Sequence, residues 1–204
     1  MAEPGPDADD TGEPDPATAA ALERRREALR HVRLFGDPIL RSRAKEVTAF
    51  DDDLRAQATR MASLMHDAMG IGLAAPQIGI ANRMLVYRVI PSGPVRVLVN
   101  PEVTWASRED EWLEEGCLSL PAVHVDGERP VALAVRAHDA HGEAITVEAS
   151  GLEARVIQHE IDHLDGVLIL DRTKRDQRRE GMRALREALA ELEAEQDAAP
   201  EHAH

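Results

Sequence analysis

Cysteine is nearly missing from this chain. Cys117 is the only one among 204 residues, so no disulfide can form within one molecule. A lone cysteine has two roles open to it, a small buried hydrophobe or a thiolate with chemistry to perform, and its neighbours must decide. Aromatic residues are also scarce at 2%, which leaves Val, Leu, Ile, Met and Ala to build a core. Hydrophobic residues still make up 43%, enough for a real interior, and the length fits one domain with tails. Positive charge is in short supply. The formal net charge of −14 argues against DNA or other general nucleic-acid binding, because neutralising phosphates needs a cationic surface. No apolar run approaches the roughly 20 residues that span a bilayer. The N-terminus is acidic and Pro-rich, the opposite of a signal or transit peptide, so the sequence predicts a cytoplasmic protein with no membrane contact.

Residues 1–30 read as an acidic, largely disordered extension. Glu3, Asp7, Asp9, Asp10, Glu13 and Asp15 fall in its first twenty positions with no base among them, and residues 17–31 could add a short helix. From about residue 31 the chain reads as folded. Gly36-Asp37-Pro38 marks a turn. Leu54, Ala58, Met61, Met65 and Ala68 form one stripe of a helix over 51–69, with Thr48 or Asp51 as its cap and Gly70 as its stop. Met61 and Met65 in that stripe read as plain core. Strands are predicted at Met84–Ile90 and at Val95–Val99, the latter ending at Asn100-Pro101. A hairpin joins Val131–Ala137 to Ala144–Glu148 around Asp139-Ala140-His141-Gly142. A helix follows from about Leu152 to Leu164, between Gly151 and Gly166, and Val167–Leu170 reads as a last short strand. Residues 172–204 complete the chain as a helix over 172–196 and a frayed tail. That helix is basic first (Lys174, Arg175, Arg178, Arg179) and acidic last, an order that opposes its dipole. The succession of helix, strands and helix predicts an α+β domain over 31–171, with small antiparallel or mixed sheets around a central helix and a C-terminal helix beyond.

The most informative string is Gln158-His159-Glu160-Ile161-Asp162-His163. Positions i and i+4 of a helix share a face, so His159 and His163 can direct two imidazole nitrogens at one metal ion. Glu160, beside the first ligand, can reach a water on that ion without ligating the ion itself, which is the mechanical content of H-E-x-x-H. Two exposed histidines near an acid are the bland alternative, but apolar residues interleave with the motif and Gly166 follows it. A catalytic site needs a third protein ligand and an open position. Downstream, only His202 and His204 remain, in the tail. Upstream stands Cys117 in Glu114-Glu115-Gly116-Cys117-Leu118-Ser119-Leu120-Pro121, a loop-like acidic setting that is odd for a core thiol and suits a thiolate ligand.

Three motifs together resemble the peptide deformylase family: Gly70-Ile71-Gly72-Leu73-Ala74-Ala75-Pro76-Gln77, Glu115-Gly116-Cys117-Leu118-Ser119, and Gln158 to Gly166. They occur in the family's order and approximate spacing, and the resemblance spans about Val32 to Asp171. The N-terminal extension lies outside the pattern, and Ala122–Glu128 is less familiar within it, which bears on local loop shape and not on the ligands. The resemblance implies hydrolytic removal of the N-formyl group from the initiator methionine of newly synthesised polypeptides, by a metal-bound water that Glu160 activates. It implies one divalent metal ion on Cys117, His159 and His163, typically Fe²⁺ with Zn²⁺ or Ni²⁺ as substitutes. One thiolate and two neutral imidazoles leave such a centre at a net charge of about +1, so a proton acceptor nearby matters more than at a site with three neutral ligands. The implied oxyanion donors are the Gln77 side chain and the Leu118 backbone N–H. A buried structural glutamine is the alternative for Gln77.

The resemblance also implies that the segment around Gly70, Ile71 and Gly72 pairs with the substrate as an added strand, with Gly72 and Gly116 in contact with it. Ile71, Leu152 and Val156 are candidate walls of an apolar methionine pocket. Arg129 is a candidate partner of Glu115, with an ordinary solvated arginine as the alternative. Asp162 and Asp165 are candidates to orient the imidazoles from behind, or exposed helix acids. His31, His66, His124, His138 and His141 sit at loop or surface-like positions and are assigned no role. The basic start of the last helix, Lys174 to Arg186, could contact the ribosome; a solvated charged face is the alternative. Two rival readings remain at this stage, a zinc peptidase that uses only the H-E-x-x-H helix and a non-enzymatic binding protein that keeps the fold.

Overall fold

The computed structural model describes residues 15–198. The expected disordered tail and frayed end fall outside them, apart from their inner edges. Helix α1 spans Pro16–Leu29. Asp15 caps it by accepting from the Ala17 and Thr18 backbone amides, and Pro16 occupies a first-turn position where no amide is needed. Helix α2, Asp52–Asp67, is capped by Asp51 through the Leu54 amide, while Asp52 and Asp53 complement its positive end. The chain leaves α2 at Met69, which takes a positive φ of 60°, one residue before the expected stop.

Strands β1 (Gly72–Ala74), β2 (Met84–Tyr87), β3 (Arg96–Ala106), β6 (Ala132–His138) and β7 (Ala144–Ser150) form one antiparallel sheet in the order β1-β2-β3-β6-β7. The expected hairpin is therefore β6–β7. Strand β2 stops at Tyr87 rather than Ile90, where residues 89–90 bend ahead of Pro91. Strand β3 does not end at Asn100-Pro101 but runs on to Ala106. Asn100 adopts a φ of 52° at a register shift, and its amide holds the Val47 backbone N–H and C=O at 2.9 and 2.8 Å. Strands β4 (Asp110–Cys117) and β5 (Leu120–Pro130) form a separate two-stranded ribbon whose turn is Leu118-Ser119. Cys117 thus ends a strand, which replaces the loop-like setting expected for it. The unfamiliar segment 122–128 lies in β5, after a bulge that places Ala122 at φ 60°.

Helix α3, Gly151–Leu164, packs on one face of the larger sheet. Its Ala154, Ile157, Ile161 and Leu164 meet Leu85, Tyr87, Leu98 and Val135. Alternate residues of β2 face the other way, so Met84 and Val86 join Met61 and Met65 of α2 beneath the opposite face. Two-sided covering explains why β2 is buried throughout. Helix α4, Arg175–Ala198, lies on β5 through Met182, Leu185 and Leu189, with Val123 and Val125 as partners. The strand expected at Val167–Leu170 is a 3-10 turn instead, Ile169–Asp171. Its apolar residues are spent against α4 and β5, and the Asp171 carboxylate takes the Leu168 amide at 2.9 Å, so no strand partner is needed. No described helix is long and apolar enough to cross a membrane.

Candidate functional site

The ribbon and α3 meet at the cleft floor. His159 and His163 stand one helical turn apart with ring centroids 5.1 Å from each other. The Cys117 Sγ at the end of β4 lies 3.2 Å from His163 Nε2. One ligand atom from each of the three lies within 4.8 Å of the others. Two nitrogens and a sulfur gathered this closely match the donor set of a single divalent ion. His163 is buried, and burial is the main cause that holds its pKa well below the usual imidazole value, which keeps the ring in the neutral form that ligates metals. Burial also acts to lower the pKa of His159, but the Cys117 sulfur and the Glu115 carboxylate beside it prevail and raise it well above the ordinary value. That proton must leave for the ring to bind a cation.

Behind the three sits a buried charge network. Glu115 accepts from Arg129 Nε and Nη2 at 2.7 and 2.9 Å, from Arg155 Nη1 at 2.7 Å, and lies 3.0 Å from His159 Nδ1. Burial would raise its pKa, yet Arg129 and His159 hold the carboxyl well below the usual range. Arg129 also donates to Asp162 at 2.7 Å, and Asp162 accepts from Arg172 at 2.5 and 3.0 Å. The ribbon, α3 and the segment before α4 are thereby joined under the ligands. Gly127, paired with Leu113 in the ribbon, leaves room for the Glu115 side chain, since a Cβ there would come within 3.0 Å of Glu115 Oε1.

Glu160 is 4% exposed, and its Oε2 has no hydrogen-bond partner among the described residues. A buried acceptor without a protein partner fits a carboxylate that serves a non-protein group. Burial pushes its pKa up to about 7, against the lowering pull of His159 and Arg129. Gly72 makes this placement possible, because a Cβ there would fall 2.3 Å from Glu160 Oε1. The Gln77 amide is fixed at both ends. Its Oε1 accepts from the Ala74 amide at 2.8 Å, and its Nε2 donates to Ser119 Oγ at 3.3 Å while lying 3.8 Å from Cys117 Sγ. The chain after α1 ties these turns together: the Arg33 amide donates to the Gln77 carbonyl at 2.7 Å and the Phe35 amide to the Ser119 carbonyl at 2.9 Å.

The cleft above has a volume of about 490 Å³. Ile71, Gly72, Gly116, Leu118, Leu152 and Val156 all line it, together with Gln77, Cys117, His159 and Glu160. Arg129 does pair with Glu115. Asp162 and Asp165 do not touch the imidazoles; Asp162 serves the two arginines, and Asp165 pairs with Arg83 at 2.7 Å. The acid that holds His159 is Glu115, which the sequence offered only as a partner for Arg129. Arg155 was missed because an arginine on an apolar helix face reads as exposed. His138, expected at a surface-like position, ends β6 with its Nδ1 buried, while His66 is in α2 and His124 in β5.

A family model described as polypeptide deformylase matches residues 29–179. A peptide deformylase of Thermotoga neapolitana is 52% identical over 143 residues, covering 70% of this chain and 86% of that protein. One from Acidothermus cellulolyticus is 47% identical over 161 residues, covering 79% and 88%. Among solved structures, a Synechococcus elongatus peptide deformylase in complex with actinonin matches with a TM-score of 0.73 at 41% identity, covering 77% of this chain and 86% of that one. A Legionella pneumophila peptide deformylase matches with a TM-score of 0.76 at 34% identity, covering 83% and 98%.

Proposed function

Because the chain belongs to the peptide deformylase family, hydrolases that remove the formyl group of nascent peptides, we propose that it acts on the initiator methionine with one divalent ion held by Cys117, His159 and His163. The observation that carries this reading is the meeting of that thiol and two imidazoles beside a buried, unpartnered Glu160 oxygen. Fe²⁺ is the ion proposed, with Zn²⁺ or Ni²⁺ as substitutes. When bound, such an ion lowers the pKa of water and draws charge from a carbonyl oxygen.

The protein's own groups do the rest. Glu160 takes a proton from the attacking water and passes it to the amine that leaves, since a carboxyl with a pKa near 7 serves as either base or acid at neutral pH. The Gln77 Nε2 and the Leu118 backbone N–H face the developing oxyanion, and Gln77 is held for this by Ala74 and Ser119. Glu115 fixes the His159 ring through Nδ1, leaving its other nitrogen for the cleft. Strand β1 has only β2 beside it in the sheet, so its other edge is open to an extended peptide backbone. Ile71, Leu152 and Val156 would take the methionine side chain, and a formyl carbon, bearing only hydrogen, fits where larger acyl groups crowd.

Release of formate from formyl-Met-Ala tests the proposal. The metal-loaded protein should release formate, lose that activity on chelation and regain it with Fe²⁺ added anaerobically. Cleavage of an internal peptide bond instead, or full activity with no metal, would overturn it.

A further inference from the structure

Helix α1 precedes the matched family segment except for Leu29, yet it contributes Arg25 and Leu29 to the lining of the catalytic cleft. Its position is fixed rather than incidental. Ala28 is buried, and the two backbone bonds from Arg33 and Phe35 anchor the chain just beyond it to the turns that carry Gln77 and Ser119. Arg26 pairs with Glu23 at 3.1 Å and Arg30 with Glu27 at 3.3 Å within the helix, and Arg24, exposed beside them, does not line the cleft. Arg25 makes no ion pair among the described residues and is exposed on the cleft side. Arg155, the other arginine lining the cleft, is already committed to Glu115.

Direction along the cleft follows from β1. Gly72 abuts Glu160 at the reacting end, Ile71, Gly70 and Met69 line the cleft ahead of it, and α1, which lines the cleft through Arg25 and Leu29, packs against α2, the helix that ends just before Met69. An extended peptide advances about 3.3 Å per residue. A substrate with its formyl group at Glu160 and its backbone along that edge therefore brings its third and fourth residues toward α1. Glu114 also lines the cleft and disfavours a second acid beside it, but its partner is His124 and not a cation of α1.

We propose that Arg25 is a specificity-determining residue: it forms a cationic subsite, supplied by an element outside the family segment, for an acidic side chain at the third or fourth position of the formylated peptide. This rests on the deformylase reading above. An exposed ion pair is weak, so the preference is about two- to fivefold and is read in KM rather than kcat.

The test uses the full-length, metal-loaded protein and C-terminally amidated formyl-Met-Ala peptides that carry Glu, Gln or Lys at the third or the fourth position. The wild type should favour Glu over Lys through KM at one of these positions. Arg25→Gln should remove the preference and Arg25→Glu should reverse it. Equal kcat/KM for Glu and Lys at both positions, or a preference that survives in Arg25→Glu, overturns the subsite. Formyl-Met-Ala amide with the wild type is the separate control: failure there defeats the deformylase reading itself, whereas turnover without charge discrimination defeats only the role of Arg25.

Discussion

At the scale of single residues, Glu160 and Gly72 form one unit. Glu160→Gln keeps shape and burial but cannot carry a proton, so kcat should fall by about 10²–10⁴. Metal content, measured on the same preparation, should stay unchanged; retained activity would remove Glu160 from the chemistry. Gly72→Ala should act through the same carboxylate. The new methyl would overlap Glu160 Oε1, and an ångström of misplacement can cost on the order of 10²-fold in rate. The expected signature is a lower kcat in a protein whose thermal unfolding is nearly that of the wild type. The family resemblance implies that Gly72 contacts substrate; the structure adds that its missing side chain makes room for Glu160. The His-Glu-x-x-His spacing was legible because helical periodicity alone places both rings together. The support behind them was not, because contact between Glu115 and His159 depends on how a ribbon and a helix meet, 44 positions apart in sequence.

At the scale of elements, α2, α3, β6 and β7 could be read from their periodicity and caps, whereas the β4–β5 ribbon could not. In β4 the first five residues are all exposed, so no apolar alternation exists to be seen. In β5 the buried alternation is present, but it passes through Val123, Val125, Gly127 and Arg129, and the last two do not look like core residues. Arg129 is inside only because Glu115 and Asp162 meet it there. Glu115→Gln should therefore cost about 3–5 kcal/mol in urea unfolding, by leaving buried arginines short of charge. The pH dependence follows the same pairing. The folded pKa of Glu115 is depressed from an ordinary value of 4.5, so its contribution is complete above that value and is lost progressively as the pH falls below it toward the depressed folded value. The Gln variant should lose less stability than the wild type between neutral pH and pH 3; parallel losses would refute this. In α4, Leu185 is 1% exposed, and Leu185→Ala should cost about 2–5 kcal/mol in the same assay. Because α4 belongs to the core, ribosome contact through its basic half is better tested by reversing exposed charges such as Arg179 and Arg183 than by truncation.

At the scale of the whole molecule, an ion that binds the folded chain stabilises it by mass action, about 4 kcal/mol when free metal exceeds the dissociation constant a thousandfold. Stripping the metal should lower the melting temperature, and restoring it should recover the loss; an identical melting curve in both states would argue against a shared site on Cys117, His159 and His163.

The place of Cys117 has one more outcome. A single ion held as proposed by Cys117 and His163 would fasten the chain into a ring through 46 positions. By polymer statistics, a permanent link of that span withdraws about 4 kcal/mol of freedom from the unfolded chain, and a coordinate clasp acts similarly while it lasts. The chain holds no second cysteine to take over. Oxidation of that one atom to a sulfinate would therefore end turnover and loosen the ribbon's hold on its helix in a single event, and a sulfinate is not reduced back by thiols.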